Sequence, residues 1–141
     1  MRCDAYAQRK WKDEKKLEYA MKLHKEMDKM YQLISKLCIV CLRRGLRLVI
    51  ENPKSTPHHL TDYWCLKPAI IDKNRRENGD YYKKPTQYWF INFAPKQNLV
   101  FEALELVECK TIAKERNQTK RSMIHPQYAN RFIRQYLIDE Q

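Results

Sequence analysis

The stretch LRLVIENPKS, residues 46–55, joins a short apolar run to an acid, an amide and a proline. Residues 46–50, with their apolar run at 48–50, predict a buried strand, and Pro53 turns the chain away after it. Gly45 lies just before the stretch, where a helical pattern ends. A helix that passes through a one-residue break into a nearly all-apolar strand is typical of a parallel α/β sheet. We therefore predict an α/β fold in which Glu51 stands at the end of a buried strand.

One long helix is predicted before this strand, between residues 11 and 44. Apolar residues recur there at steps of three and four, which keeps one stripe toward a core. The stripe comprises Leu17, Ala20, Leu23, Met27, Met30, Tyr31, Ile34, Cys38, Cys41 and Leu42. Gly45 supplies a left-handed C-cap. Cys38 and Cys41 form a CxxC with no second pair and no histidine nearby, so we predict packing thiols rather than a metal or redox site.

Further along the chain, QYWFINF at 87–93 predicts a second strand, because aromatic and β-branched residues favour sheets. Residues 98–107 fit either a strand or a helix, and residues 110–121 form a basic connector. Pro126 suits the first turn of a closing helix, which should dock on the sheet. The expected architecture is one domain over residues 1–141, with a long N-terminal helix, a parallel or mixed sheet and a C-terminal helix.

The charge of the chain narrows the classes of partner. Lys and Arg number 28 against 17 Asp and Glu, a formal net charge of +11, which favours DNA, RNA or an acidic membrane surface. A basic surface that only keeps the chain soluble is the alternative. No apolar run approaches the roughly 20 residues of a membrane span, and no signal peptide is evident. Five cysteines without framework spacing indicate reduced thiols and a cytoplasmic protein.

Glu51 is the first candidate functional residue. In open parallel α/β sheets ligands bind beyond the carboxyl ends of the strands, where its carboxylate could accept a hydrogen bond from a ring N–H or an amine. Alternatively, Glu51 satisfies backbone donors or a lysine at a strand end.

Residues 54–85 hold the second group of candidates. Cations and rings interleave there, as a surface for phosphates and unstacked bases requires, although a solvated loop is the alternative. The residues concerned are Arg75, Arg76, Tyr81, Tyr82, Lys83 and Lys84.

Several motifs of cofactor binding and catalysis are absent from the sequence. With only two glycines it has neither a GxGxxG nor a GxxxxGK[ST] loop. It also lacks GxSxG and HExxH. His58 and His59 are adjacent and cannot readily hold one metal together, so no metal site is predicted.

Three motifs in order nevertheless resemble the C-terminal half of phage-type cytosine-5 DNA methyltransferases. They are Glu-Asn-Pro at a strand end, an Arg-rich loop leading to KKPTQYWFIN, and RSMIHPQYANRF before the last helix. The resemblance runs from the long helix near Trp11 almost to the C-terminus and implies a Rossmann-like fold, DNA as partner and S-adenosylmethionine as cofactor. In that family the glutamate lies against a flipped cytosine and is thought to protonate the ring while a cysteine attacks C6. By this match Glu51 recognises the base and Asn52 supports its loop.

The other motifs of the family extend the set of expected DNA contacts. Its QxRxR element has a loose counterpart at residues 74–76 or 84–86, and RSMIHP at 121–126 resembles its Arg-x-Leu-Thr-Pro element. Together with the basic loop, these matches predict contacts to DNA from Arg75, Arg76, Lys83, Lys84, Thr86, Arg121 and Ser122.

The family's Gly-rich cofactor loop and Pro-Cys nucleophile are missing from this sequence. Glu51 alone cannot supply the reaction, so we expect a fragment, a truncated or split product or a remnant, which a second chain could complete. Two alternatives are a non-catalytic nucleic-acid-binding module and a protein-interaction remnant.

Overall fold

The computed structural model describes residues 11–55, 59–105, 108 and 117–139. In chain order its elements are α1 (Asp13–Arg43), β1 (Leu48–Pro53), α2 (His59–Tyr63), β2 (Ile70–Asp72), a 3-10 helix (Arg75–Asn78), β3 (Thr86–Ile91), α3 (Gln118–Ser122) and α4 (Pro126–Tyr136). The long first helix and the closing helix at Pro126 are confirmed. Residues 98–105, expected to be strand or helix, have no regular secondary structure. Residues 106–107, and 110–116 of the basic connector, lie outside the described part.

The sheet has three strands in the order β1-β3-β2, and both outer strands pair antiparallel with β3. The prediction of a parallel or mixed Rossmann-like sheet is therefore wrong. A short break between α1 and β1 fixes only the spacing of that helix and that strand along the chain. It does not fix the direction of the strand that pairs with β1. The direction of the neighbouring strand depends on the later connection, and here β3 returns antiparallel beside β1. The expected position of Glu51 is also wrong, because β1 continues through Glu51 to Pro53.

Helices cover both faces of this sheet. On one face, α1 and α2 pack on β1 and β3 through a core of Cys38, Leu60, Trp64, Trp89 and Ile91. On the other face α4 packs its rings against β3, with the Phe132 ring centroid 4.4 Å from that of Tyr88. The predicted docking of the closing helix on the sheet is thus confirmed. Successive strand residues point to opposite faces, so the register pair Glu51 and Tyr88 lies on the α4 face.

Only the C-terminal half of α1 belongs to the core. Met30, Tyr31, Ile34 and Cys38 pack there, whereas Leu17 near the other end is 66% exposed. The two thiols of the CxxC are buried, as predicted, and both are free. Gly45 has φ +65° and ends α1 in the left-handed conformation, which confirms its C-cap role.

Among the helices of the described residues, none combines the length and the apolarity needed to cross a membrane.

Candidate functional site around Glu51

Glu51 is the fourth residue of β1, and its side chain is 36% exposed at the α4 face of the sheet. One of its carboxylate oxygens lies 3.6 Å from Nη1 of Arg75. Antiparallel pairing sets Glu51 opposite Tyr88, whose ring packs under α4. The sheet therefore holds the backbone of Glu51 rigidly and leaves its carboxylate open to solvent on one side.

Arg75 lies behind Glu51 and is only 2% exposed. Its Nη2 is 2.5 Å from Oδ2 of Asp80, which is completely buried. Its guanidinium carbon also lies 4.8 Å from the centre of the Tyr128 ring, a cation–π contact. Two buried partners thus fix the guanidinium that faces Glu51, and the three side chains form a row from Asp80 through Arg75 to Glu51.

A tight turn brings Asp80 back to Arg75. The 3-10 helix ends at Gly79, which has φ +94° in the left-handed region. The Asp80 amide then donates to the Arg75 carbonyl at 3.2 Å. A Cβ on Gly79 would lie 3.1 Å from the end of the flexible Gln127 side chain, so this position favours glycine chiefly for its backbone angle. The other carboxylate oxygen of Asp80 accepts from the His125 amide at 2.9 Å, which joins the turn to the start of α4.

A second polar network continues from Tyr128. Its hydroxyl donates to Oδ2 of Asp72 at 3.0 Å, so it accepts from the Tyr88 hydroxyl 2.6 Å away. Asp72 also accepts from the Asn78 side-chain amide at 3.0 Å and from the Asn74 amide at 2.9 Å. Burial raises the pKa of Tyr88 to about 12 and raises that of Tyr128 as well. Both tyrosines therefore remain neutral hydrogen-bonding groups across the physiological range.

Lys84, another cation of the predicted DNA-contact set, interacts electrostatically with all three members of this row. It is half-buried, and burial lowers its pKa, while the charges of Glu51 and Asp80 act in the opposite direction. Arg121 is also half-buried and close enough to influence Lys84. Glu51 thus lies in a predominantly cationic neighbourhood.

The remaining predicted site residues are dispersed. Arg76 and Lys83 are exposed, and the exposed Ser122 donates its hydroxyl to the Thr119 carbonyl. Thr86 is completely buried, and its hydroxyl donates to the Lys84 carbonyl at 3.3 Å. Asn52 pairs in register with Gln87, so it faces the opposite side of the sheet from Glu51.

Sequence reasoning missed Asp72, Asp80, Tyr88 and Tyr128. Tyr128 and Tyr88 were recognised only as apolar positions of a helix and a strand, although a buried tyrosine hydroxyl requires a partner. The available signal was the pair of acids that flank the Arg-rich segment, at positions 72 and 80. Their partners lie up to 56 residues away in the chain, which no local pattern reveals.

The fit of the chain to the expected cofactor and to metals can be judged from its residues. Its two glycines cap α1 and the 3-10 helix, so neither forms a backbone cradle for S-adenosylmethionine. The residues present therefore offer no Gly-rich loop for this cofactor. Within the described ranges, no cluster of three or more His, Cys, Asp or Glu could hold a metal ion.

Comparison of the chain with protein-family models, curated proteins and solved structures finds no match.

Proposed function

We propose that this chain binds DNA and presents Glu51 to a nucleobase, as the base-recognising part of a DNA cytosine methyltransferase. The observation that carries the proposal is the partly exposed Glu51 carboxylate held against the buried Arg75–Asp80 pair. Because Arg75 is fixed from behind, Glu51 is oriented before any ligand arrives.

The chemistry of a carboxylate decides which part of DNA it would meet. An ionised carboxylate only accepts hydrogen bonds, and a phosphate offers it no donor. A cytosine offers the exocyclic N4 amine, which Glu and Asp recognise. Lys83, Lys84 and Arg121 would attract the phosphates around it, and this contribution is independent of base sequence. An acid within a basic surface therefore suits base recognition better than backbone binding.

The burial of Arg75 changes its expected role. A guanidinium that is 2% exposed and paired with Asp80 acts as a positioning group for Glu51. Thr86 likewise supports the loop at Lys84 through its buried hydroxyl. Direct phosphate contacts are accordingly proposed for the exposed and half-buried cations Arg76, Lys83, Lys84 and Arg121, with Ser122 beside them.

Methyl transfer would require groups that this sequence does not contain. No cysteine follows a proline, and no Gly-rich cofactor loop is present. A second chain or segment would therefore supply the nucleophile and bind S-adenosylmethionine. The motif resemblance supports cytosine as the base. The free thiols of Cys38, Cys41 and Cys65 fit a reducing compartment, and we propose the cytoplasm as the location.

Base preference tests this role. DNA carrying one unpaired cytosine should bind more tightly than the same DNA carrying thymine, because thymine has no N4 amine. Glu51→Gln should remove most of this preference, about tenfold in the ratio of dissociation constants, since a single base contact contributes ~1–3 kcal/mol.

The matched control for this test is Glu26→Gln, which removes an exposed acid of α1, on the opposite face of the sheet, and should keep the preference. A wild-type protein that binds cytosine and thymine equally, or a Glu51→Gln variant that retains the preference, would rule out base recognition by Glu51.

Protein interaction is a second candidate, favoured by a specific surface. Leu33, Leu37, Ile39 and Val40 of α1 are exposed apolar residues. β1 is also an edge strand, since β3 is its only partner in the described sheet. Exposed apolar residues and unpaired strand edges both favour association. Light scattering of the purified chain at rising concentration tests this candidate. It requires that the chain self-associates and that Leu33→Glu weakens the association.

A further inference from the structure

A pocket of about 300 Å³ lies between β2, the 3-10 helix and α4. Its lining includes Asp72, Asn74, Tyr128, Arg131 and Tyr136, and Glu51 is not among the lining residues. A volume of this size is at the lower end for small-molecule sites. The pocket is thus a separate feature from the Glu51 carboxylate, although the Tyr128 ring contacts Arg75 and also lines the pocket.

Aromatic rings form one side of this pocket. The Phe132 ring centroid lies 4.4 Å from that of Tyr88 and 5.0 Å from that of Tyr136, and all three residues line the cavity. Contiguous rings of this kind bind flat groups by stacking, and nucleobases bind proteins in this way. The aromatic side of the pocket therefore favours a planar ligand.

Two buried polar atoms in the pocket lining lack partners. Nε of Arg131 and Oδ1 of Asn74 are buried, and neither has a hydrogen-bond partner among the described residues. A buried donor or acceptor left unpaired is costly, so such atoms normally meet a ligand or water. One of these atoms is a donor and the other an acceptor. A ligand that satisfied both would carry a carbonyl or ring-nitrogen acceptor and an N–H donor.

The charges of the lining give an anionic ligand no net attraction. The charged residues that line the pocket are two cations, Lys73 and Arg131, and two acids, Asp72 and Glu77. Asp72 is occupied by Tyr128, Asn78 and the Asn74 amide. This balance of two positive and two negative charges contrasts with the whole chain, whose formal net charge is +11. A phosphate would gain no net attraction here, whereas an uncharged ring would be accommodated.

We propose that this pocket binds an uncharged planar heterocycle with both an N–H donor and an acceptor on its edge, which is the chemistry of a nucleobase. The ligand is either a free nucleoside or a base unstacked from a nucleic-acid strand. Stacking on one of the rings of Phe132 and Tyr136, whose planes are 59° apart, and hydrogen bonds to Arg131 and Asn74 would hold it. This inference does not depend on the role proposed for Glu51.

Titration with free nucleosides tests the proposal directly. Cytidine, uridine, adenosine and guanosine are added to the full chain labelled with ¹⁵N, and amide shifts are followed. Saturable shifts centred on the 3-10 helix and α4 are expected for at least one of them. The corresponding 5′-monophosphate should bind no more tightly, because the lining attracts no anion. Short single-stranded oligonucleotides, titrated in parallel, test the base within a strand.

Arg131→Met removes the unpaired donor and should weaken binding about tenfold, as expected for loss of a hydrogen bond to a charged group. Arg134→Met is the matched control, because Arg134 is on the same helix, pairs with Glu102 and does not line the pocket. Shifts with nucleosides identify a free ligand, and shifts with oligonucleotides alone identify an unstacked base.

Absence of saturable shifts at the pocket with every probe would overturn the proposal, as would equal losses in the two arginine variants. Tighter binding of the monophosphate would also overturn it, because the ligand would then be recognised as an anion. The wild-type shift map decides the matter even if Arg131→Met does not fold.

Discussion

Arg75 is buried between an acid of its own loop, an acid of the sheet and the ring of Tyr128. Removing one partner of a buried ion pair leaves the other charge without compensation, at a cost of about 3–5 kcal/mol. Arg75→Met should therefore lower the free energy of unfolding by about that amount, measured by urea denaturation. Arg76→Met, at the exposed neighbour, should change it by less than about 0.5 kcal/mol. Equal effects of the two substitutions would contradict the buried Asp80–Arg75–Glu51 row.

The raised pKa of Tyr88 predicts a loss of folding stability at alkaline pH. Burial raises its pKa from 10.0 to about 12 in the folded chain, so the folded state holds the proton more tightly than the unfolded state. The contribution of this group to stability is complete below pH 10.0. It falls as the pH rises toward about 12, because the unfolded tyrosine ionises in this range while the folded one is still neutral. The raised pKa of Tyr128 acts in the same direction.

Unfolding by urea at a series of alkaline pH values checks this prediction for Tyr88. Tyr88→Phe should reduce the slope of stability against pH in that window, although it also removes one hydrogen bond. A wild-type stability that does not fall above pH 10.0 would contradict the burial of these hydroxyls.

Arg75 and Arg76 also show where sequence reasoning reaches its limit for single residues. Both were predicted to contact phosphate, because adjacent arginines in a polar loop have the same local signature. The turn at Gly79 distinguishes them by returning Asp80 to Arg75 and leaving Arg76 exposed. A local pattern thus identified Glu51 as a candidate, but it predicted neither its place within an antiparallel strand nor the charge pair that orients it.

Among the elements, α1 depends on Gly45 for its C-terminal end. This residue has φ +65°, and a Cβ there would meet nothing within 4 Å, so a substitution tests the backbone alone. Gly45→Ala should destabilise the chain by about 1 kcal/mol, because the left-handed conformation costs an L-residue roughly 1–2 kcal/mol and alanine stiffens the unfolded chain. Gly45→Asn should cost less, since asparagine tolerates this conformation. Urea midpoints of the two variants check the order, and an unchanged Gly45→Ala midpoint would contradict it.

Element boundaries were predicted well where the signal is local. The helical spacing, the Gly45 cap and Pro126 all act within one or two turns, and the structure has α1 and α4 where these signals place them. Strand direction has no local signal, since an apolar run such as residues 48–50 can pair either way. The sheet proved antiparallel because β3 returns between β1 and β2. In an antiparallel sheet Glu51 does not lie at a shared carboxyl edge of the strands, and it is the contact with Arg75 that distinguishes it.

On the scale of the whole molecule, the formal net charge of +11 favours a polyanion as partner. Two groups of its cations can be compared. Lys83, Lys84 and Arg121 lie in the segments around Glu51, whereas Lys22, Lys25 and Lys29 are exposed along α1. A bound phosphate backbone releases counterions, so affinity should fall steeply as salt rises. If DNA approaches Glu51, removing the first set should matter more than removing the second.

The most direct measurement is the affinity of the chain for a labelled duplex across a salt series, with two triple variants that each remove three cations. The account predicts salt-sensitive binding by the wild type. Replacing Lys83, Lys84 and Arg121 with glutamine should weaken binding and reduce the salt slope by about one for each lost phosphate contact. Replacing Lys22, Lys25 and Lys29 should leave the slope nearly unchanged. No binding at low salt, or equal losses in both variants, would contradict a DNA surface centred on Glu51.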